Sequence, residues 1–331
     1  MLNQKLIDRY NRVLNYLRVS ITDHCNLRCM YCVPREEIPW LSHAQILRYE
    51  EILRLIKIGA EMGIAKVRIT GGEPLVRKGV YEFLADLNQI NGLSDVSLTT
   101  NGVLLAENIA RIHAAGIRRI NVSLDTLSRQ KYKEITGHDQ YEKVWRGILA
   151  AREMGMGPIK INVVALKGIN EDELIDFARL SFLYPFHIRF IEHMPIGTSG
   201  TKIGQHLLAP EIKARLGSLG KLVPIEKGGS YDGPAERFKF QGAMGEVGFI
   251  RPLSRHFCAH CNRLRLTASG QLRTCLLSDN QVDLKGPLRM GCSDSELAQI
   301  LLNAVQHKPS EHHLSDHCNG NVNSQMSAIG G

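Results

Sequence analysis

Three thiols stand within eight residues, Cys25-Asn26-Leu27-Arg28-Cys29-Met30-Tyr31-Cys32. The spacing C-x3-C-x2-C offers three thiolates, one fewer than a closed zinc or iron–sulfur site uses, and so leaves one coordination position for something else. A zinc knuckle completed by His24 or His43 is the plainer alternative. A second set lies far downstream, Cys258-Ala259-His260-Cys261 and then Cys275 after thirteen intervening residues. It too stops at three. A CxxC pair alone is shared with redox pairs and zinc ribbons, and a zinc ion completed by His256, His260 or Cys292 stays open. A hairpin that returns Cys275 to the pair favours a cluster. Cys292 and Cys318 read as ordinary thiols.

Two further motifs bear on these sets. Arg263 and Arg265, in Asn262-Arg263-Leu264-Arg265, share one strand face beside the second set. Planar guanidinium groups suit bidentate contacts to phosphate or carboxylate, so next to an open metal position the pair forms an anion clamp. Thr70-Gly71-Gly72-Glu73-Pro74 closes a strand. Paired glycines there either let the backbone approach a ligand or make a tight turn, and both readings stand.

The elements that must position these residues alternate from the N-terminus to about residue 195. Strand-like runs cover Leu17–Thr22, Lys66–Thr70, Asp95–Thr100, Arg119–Leu124, Ile159–Leu166 and His187–Glu192. Helical periodicity covers Gln45–Met62, Val80–Ile90, Leu104–Ala115, Tyr141–Met154 and Glu171–Phe182, with Gly63, Gly92, Gly116 and Gly155 where helices stop. Six βα units imply a parallel sheet covered by helices, short of the eight strands of a closed TIM barrel.

Alternate residues of five strands form polar rows: Arg18-Ser20-Thr22, Lys66-Arg68-Thr70, Ser97-Thr99-Asn101, Asn121-Ser123-Asp125 and Lys160-Asn162. The opposite rows are apolar and must meet the helices, so the polar rows point inward. A closed TIM barrel fills its interior with branched apolar side chains, whereas five polar rows call for an incomplete barrel around a large polar ligand. The expected fold is therefore an α/β, incomplete (βα)6 TIM-type barrel over residues 1–195, followed by an α+β extension over 196–331. In the extension, Gly197–Gly204 and Lys227–Ser230 read as loop and connector. Pro210–Leu216 and Asp294–Gln306 read as helices, and Leu264–Thr274 as a hairpin turning at Ser269-Gly270.

The 331 residues carry 44% hydrophobic and 22% charged side chains, the balance of a globular protein. No apolar run approaches the roughly 18 residues of a membrane-spanning helix, and the polar start lacks a signal-peptide core, so a reducing cytoplasm is expected. Eight cysteines in that setting point to metal or redox chemistry rather than disulfides. The net charge of +8 suits a polyanion, but the basic residues are dispersed, which favours an anion pocket over a nucleic-acid stripe.

Together these motifs resemble the radical S-adenosylmethionine superfamily, through CxxxCxxC with Tyr31 before its last cysteine and through Gly71-Gly72-Glu73-Pro74. Within it, the chain is similar to the GTP 3′,8-cyclase family of molybdenum cofactor biosynthesis. That similarity runs through Val67–Leu75, Leu98–Gly102, Arg119–Asp125, Lys160–Val164, Arg189–Glu192, Asn262–Leu266, the second cysteine set and the terminal Gly330-Gly331. It covers essentially the whole chain. His24 departs from the arginine often found before the first cysteine, and Ala328 from the larger residue often found before the final isoleucine.

The resemblance implies that Cys25, Cys29 and Cys32 hold one [4Fe–4S] cluster, whose open iron binds S-adenosylmethionine. Tyr31, Gly72, Ser123 and Met194 would contact that cofactor. Cys258, Cys261 and Cys275 would hold a second [4Fe–4S] cluster facing the guanine of GTP. Arg18, Arg68, Thr99, Lys160, Arg263, Leu264 and Arg265 would contact GTP, and Arg263, Arg265, Gly330 and Gly331 would serve catalysis. Glu73 and Asn162 are further candidates. A 5′-deoxyadenosyl radical would take hydrogen from ribose C3′, and the C3′ radical would attack guanine C8. The family implies an external one-electron donor of flavodoxin type and a downstream cyclic pyranopterin monophosphate synthase, with no nucleic-acid or membrane partner; a homodimer is open. The other readings are a peptide-modifying radical enzyme with an auxiliary cluster and a zinc-stabilised nucleic-acid-binding protein.

Overall fold

The computed structural model describes residues 4–33, 40–197, 206–226, 233–312 and 322–330. The 198–204 loop, the 227–230 connector, Cys318 and Gly331 lie outside them.

The first six strands, β1 (Tyr16–Ser20), β2 (Lys66–Thr70), β3 (Asp95–Thr100), β4 (Arg119–Ser123), β5 (Lys160–Ala165) and β6 (His187–Glu192), pair in parallel in chain order. Between them run α1 (Tyr49–Glu61), α2 (Val80–Asn88), α3 (Leu105–Ala114), α4 (Arg129–Thr136), α5 (Tyr141–Glu153) and α6 (Leu174–Leu183). The helices cover one face of the sheet, where Val67, Ile69, Leu98, Ile120, Val122, Ile161 and Val163 are buried. Gly63, Gly92, Gly116 and Gly155 all take positive φ, as helix-stopping glycines do.

Two helices differ from the periodicity. α1 begins at Tyr49 rather than Gln45, because Glu51 folds back to accept the Arg48 N–H at 2.7 Å and fixes the first turn there. α4 is unannounced: its sequence RQKYKEIT is nearly polar all round and buries only Tyr132, Ile135 and Thr136. Its ends are nevertheless defined, with the Ser128 side chain accepting from Lys131 N–H and Gly137 at positive φ.

After residue 195 come α7 (Ala209–Leu216), β7 (Leu222–Ile225), β8 (Glu236–Phe240), β9 (Glu246–Ile250), β10 (Arg263–Leu266), β11 (Gln271–Arg273), β12 (Val282–Asp283), α8 (Lys285–Arg289), α9 (Asp294–Gln306) and α10 (Met326–Ile329). These strands extend the same sheet, in the order β12-β11-β10-β1-β2-β3-β4-β5-β6-β9-β8-β7. β10 lies parallel to β1, and β9 parallel to β6. The six parallel strands thus become a run of eight, the number of a TIM barrel, yet the sheet does not close. The free edge of β9 is taken by β8 and that of β10 by β11, both antiparallel, so neither edge is left to meet the other.

Candidate active site

Register carries the polar rows across the open barrel. Arg265 on β10 stands opposite Arg18 on β1, which stands opposite Arg68 on β2 and then Ser97 on β3. Thr99 pairs with Asn121, Asn121 with Lys160 and Asn162 with Arg189. Arg68 donates to Ser97 Oγ at 3.2 Å, and the Asn121 amide oxygen accepts from Arg68 Nη1 at 3.0 Å.

These rows end in a cavity of about 250 Å3. Arg18, Lys66, Arg68, Arg119, Lys160, Arg189, Arg237, Arg263 and Arg265 reach its wall, in which no aspartate or glutamate stands among the described residues. Lys66 and Arg119 share Asp95 outside it, each at 2.9 Å. The crowding is electrostatically costly. Burial, then neighbouring cations, lowers Lys160 to about 6. Burial likewise brings Arg189 to about 9 and Arg265 well below the usual arginine range. A wall of cations without carboxylates is complementary to a polyanion, whose binding relieves the repulsion.

The second cysteine set opens into this cavity through Cys258, Cys261 and Cys275. Burial raises the Cys258 thiol. Burial would also raise Cys261, but Arg263 and Lys308 beside it bring it down to about 7. Lys308 Nζ donates to the carbonyls of Arg263, at 3.2 Å, and of Thr274, tying β10 to the strand end that carries Cys275. Arg12, paired with Asp8 at 2.6 Å, donates to the Cys258 carbonyl at 2.8 Å. The Leu264 side chain turns the other way, into the core under the helices, and neither it nor Thr99 is part of the cavity wall.

The first set sits on the loop leaving β1, and β2 holds that loop by close approach. A Cβ on Gly72 would lie 2.4 Å from the carbonyl oxygens of Asp23 and His24, and one on Gly71 2.6 Å from that of Thr22. The glycines therefore serve contact with the cysteine loop's own backbone: Gly72 N–H donates to Thr22 O and Glu73 N–H to His24 O, both at 2.7 Å. Glu73 is wholly buried, with its carboxylate accepting from Leu75 N–H, Thr100 Oγ1 and Asn101 N–H. Burial raises it to about 7 against the pull of those bonds. Asn101 then donates to Asn26 Oδ1 at 2.7 Å and to Cys25 Sγ at 3.7 Å. Burial, then the neighbouring thiol Cys32, then Asp125 raise Cys29 well above the ordinary thiol range.

In the first set, three thiols whose burial and mutual repulsion oppose ionisation need a cationic metal group to become thiolates, which fits a cluster there. Among the described residues no three His, Cys, Asp or Glu side chains converge as ligands of one metal ion. His24 instead packs on Trp40, and His256 lies against Glu311 and His312.

Tyr31 donates to Asp125 Oδ2 at 2.6 Å, while Asp125 Oδ1 accepts from Val164 N–H. Ser123 ends β4, opposite Asn162. Met194 borders the cavity and joins Ile196, Leu277, Val322 and Ile329 in a small apolar cluster under the C-terminal turn. That turn runs between the two cysteine sets. Met326 borders the cavity, Ser327 N–H donates to the Cys32 thiol, and Gly330 O accepts from Arg265 Nη1 at 2.6 Å. Sequence reasoning missed Arg189, although the same alternation on β6 (His187, Arg189, Ile191) marks it. It also missed Tyr16 and Arg237, which no motif signals.

The eight-stranded open barrel, with one cysteine set on the loop after β1 and another facing the barrel's interior, defines a radical S-adenosylmethionine protein. The chain matches the Radical SAM superfamily over residues 19–181 and Molybdenum Cofactor Synthesis C over 186–314. It is 47% identical to a GTP 3′,8-cyclase of Heliobacterium modesticaldum, over 98% of this chain and all of that protein. It is 48% identical to one of Moorella thermoacetica, over 93% of this chain and 95% of that one. The chain belongs to the GTP 3′,8-cyclase family. In fold it is also similar to Streptococcus suis SuiB, solved bound to S-adenosylmethionine, with a TM-score of 0.63 and 14% identity over 94% of this chain and 79% of that one.

Proposed function

We infer that the chain is an enzyme that cyclises GTP to (8S)-3′,8-cyclo-7,8-dihydroguanosine 5′-triphosphate, the first step of molybdenum cofactor biosynthesis. The observation that carries this reading, beyond family membership, is the cationic cavity, without carboxylates among its described lining residues, into which the second cysteine set opens. A triphosphate supplies the negative charge that wall lacks, and the guanine then lies toward Cys258, Cys261 and Cys275.

Cys25, Cys29 and Cys32 hold a [4Fe–4S] cluster, and Cys258, Cys261 and Cys275 a second. Bound at the first, S-adenosylmethionine supplies a 5′-deoxyadenosyl radical. Tyr31, Gly72, Ser123 and Met194 position that cofactor. Arg18, Arg68, Lys160, Arg263 and Arg265 hold GTP, with Thr99 and Leu264 contributing from outside the cavity wall, Leu264 through its backbone. Gly330, beside Arg265, excludes water from the space between the two reactants, and Gly331 serves catalysis with it. The barrel of residues 1–195 makes the radical and shares the binding of GTP with residues 196–331, which carry the second cluster.

An external one-electron donor of flavodoxin type reduces the enzyme, and a cyclic pyranopterin monophosphate synthase takes the product. No described helix is long and apolar enough to cross a membrane, which is compatible with a cytoplasmic enzyme. Anaerobic incubation of reconstituted protein with GTP, S-adenosylmethionine and a reductant should yield a product isomeric with GTP, with 5′-deoxyadenosine formed in step. Cofactor cleavage without consumption of GTP would contradict the reading.

A further inference from the structure

His193 follows β6 directly, and its neighbour fixes its direction. The Glu192 carboxylate turns outward, accepting from Ala209 N–H and Leu253 N–H, both at 2.9 Å. The next side chain therefore projects to the opposite side, toward the first cysteine loop. There its ring lies edge-on to Tyr31, with centroids 6.3 Å apart, and 6.0 Å from the His206 ring. The side chain is only 4% exposed, yet neither Nδ1 nor Nε2 has a hydrogen-bond partner. Burial, then His206, lowers its pKa to about 4, so the ring is neutral and offers one N–H donor and one bare acceptor.

A buried imidazole with both nitrogens unmet is an expensive feature unless something that binds there meets them. Its surroundings say what that is. In space it borders Tyr31, and in sequence it precedes Met194, two residues assigned above to the sulfonium cofactor. It is absent from the cationic wall that suits the triphosphate. We propose that His193 binds S-adenosylmethionine, hydrogen-bonding through a ring nitrogen to the adenosyl portion, whose adenine edge and ribose hydroxyls supply matching donors and acceptors. This assignment rests on the cofactor reading given under Proposed function.

The test is equilibrium dialysis of anaerobically reconstituted protein, without reductant, against S-adenosylmethionine, S-adenosylhomocysteine and GTP in separate runs. Loss of one such hydrogen bond in His193→Phe should weaken both adenosyl ligands about tenfold. GTP affinity and iron content should stay as in the parent, and His193→Gln, which keeps a donor and an acceptor, should restore most of the affinity. Should the Phe variant not fold, His193→Leu set against His193→Gln makes the same comparison. Parent-like cofactor affinity in an iron-replete Phe or Leu variant overturns the assignment. So does a parallel loss of cofactor and GTP binding, which marks a packing role. Failure of the parent protein itself to bind S-adenosylmethionine overturns the cofactor reading beneath it.

Discussion

Arg265 Nη1 donates to the carbonyl of Gly330 across 2.6 Å, joining β10 to a C-terminal turn 65 residues away in sequence. Arg265 borders the cationic cavity, and Ser327, three residues before Gly330, donates to Cys32. One guanidinium thus links the cationic cavity, through the terminal turn, to the first cysteine loop.

Arg265→Ala should weaken GTP binding by about 10- to 100-fold, the loss of one charge-assisted contact, while leaving the iron content unchanged. Dialysis with GTP alongside iron analysis checks this, and parent-like affinity would remove Arg265 from the clamp.

Lys160 predicts a pH dependence. Its pKa of about 6 lies below the usual lysine value near 10.4, so between those limits the unfolded chain binds more protons than the folded one. Stability of the GTP-free protein therefore gains from this group as pH rises from about 6 toward 10, and its penalty is complete below about 6. Lys160→Met should stabilise the protein at pH 6–7 by about 1–3 kcal/mol and flatten that rise. Denaturant melts at several pH values measure both, and a variant melting with the parent's slope would contradict the assignment.

Glu73→Ala leaves the N–H groups of Leu75 and Asn101 buried without their acceptor, at a cost of about 1–3 kcal/mol each. Because Asn101 carries the connection on to Cys25, iron should fall, to about half for the two four-iron clusters proposed above. Full iron loading with unchanged melting would show that Glu73 does not brace the loop.

Gly72→Ala drives a methyl against two backbone carbonyls that cannot step aside. It should destabilise the protein by about 1–3 kcal/mol or more and lower occupancy of the first cluster. Melting and iron analysis of a variant as stable as the parent would contradict that packing.

The barrel is legible in the sequence because each strand carries a polar inner row and an apolar outer one, so face and period are both local properties. Arg18, Arg68 and Lys160 are visible for the same reason, and Arg189 becomes visible once β6 is read the same way. The placement of β9 and β10 on opposite edges is not legible: strand partners are chosen by long-range packing, and short runs such as Arg263–Leu266 do not encode theirs. Nor is α4, whose nearly polar sequence lacks the apolar stripe that marks a helix. The role of Gly71 and Gly72 is ambiguous until the Thr22–His24 backbone is seen against them.

The most direct test of the account is deuterium transfer. Reconstituted enzyme is incubated anaerobically with a reductant, S-adenosylmethionine and GTP deuterated at ribose C3′. The account predicts deuterium in the 5′-deoxyadenosine and a cyclised product one mass unit lighter than the labelled GTP. Cofactor cleavage at the same rate with and without GTP, with unlabelled 5′-deoxyadenosine, would contradict it.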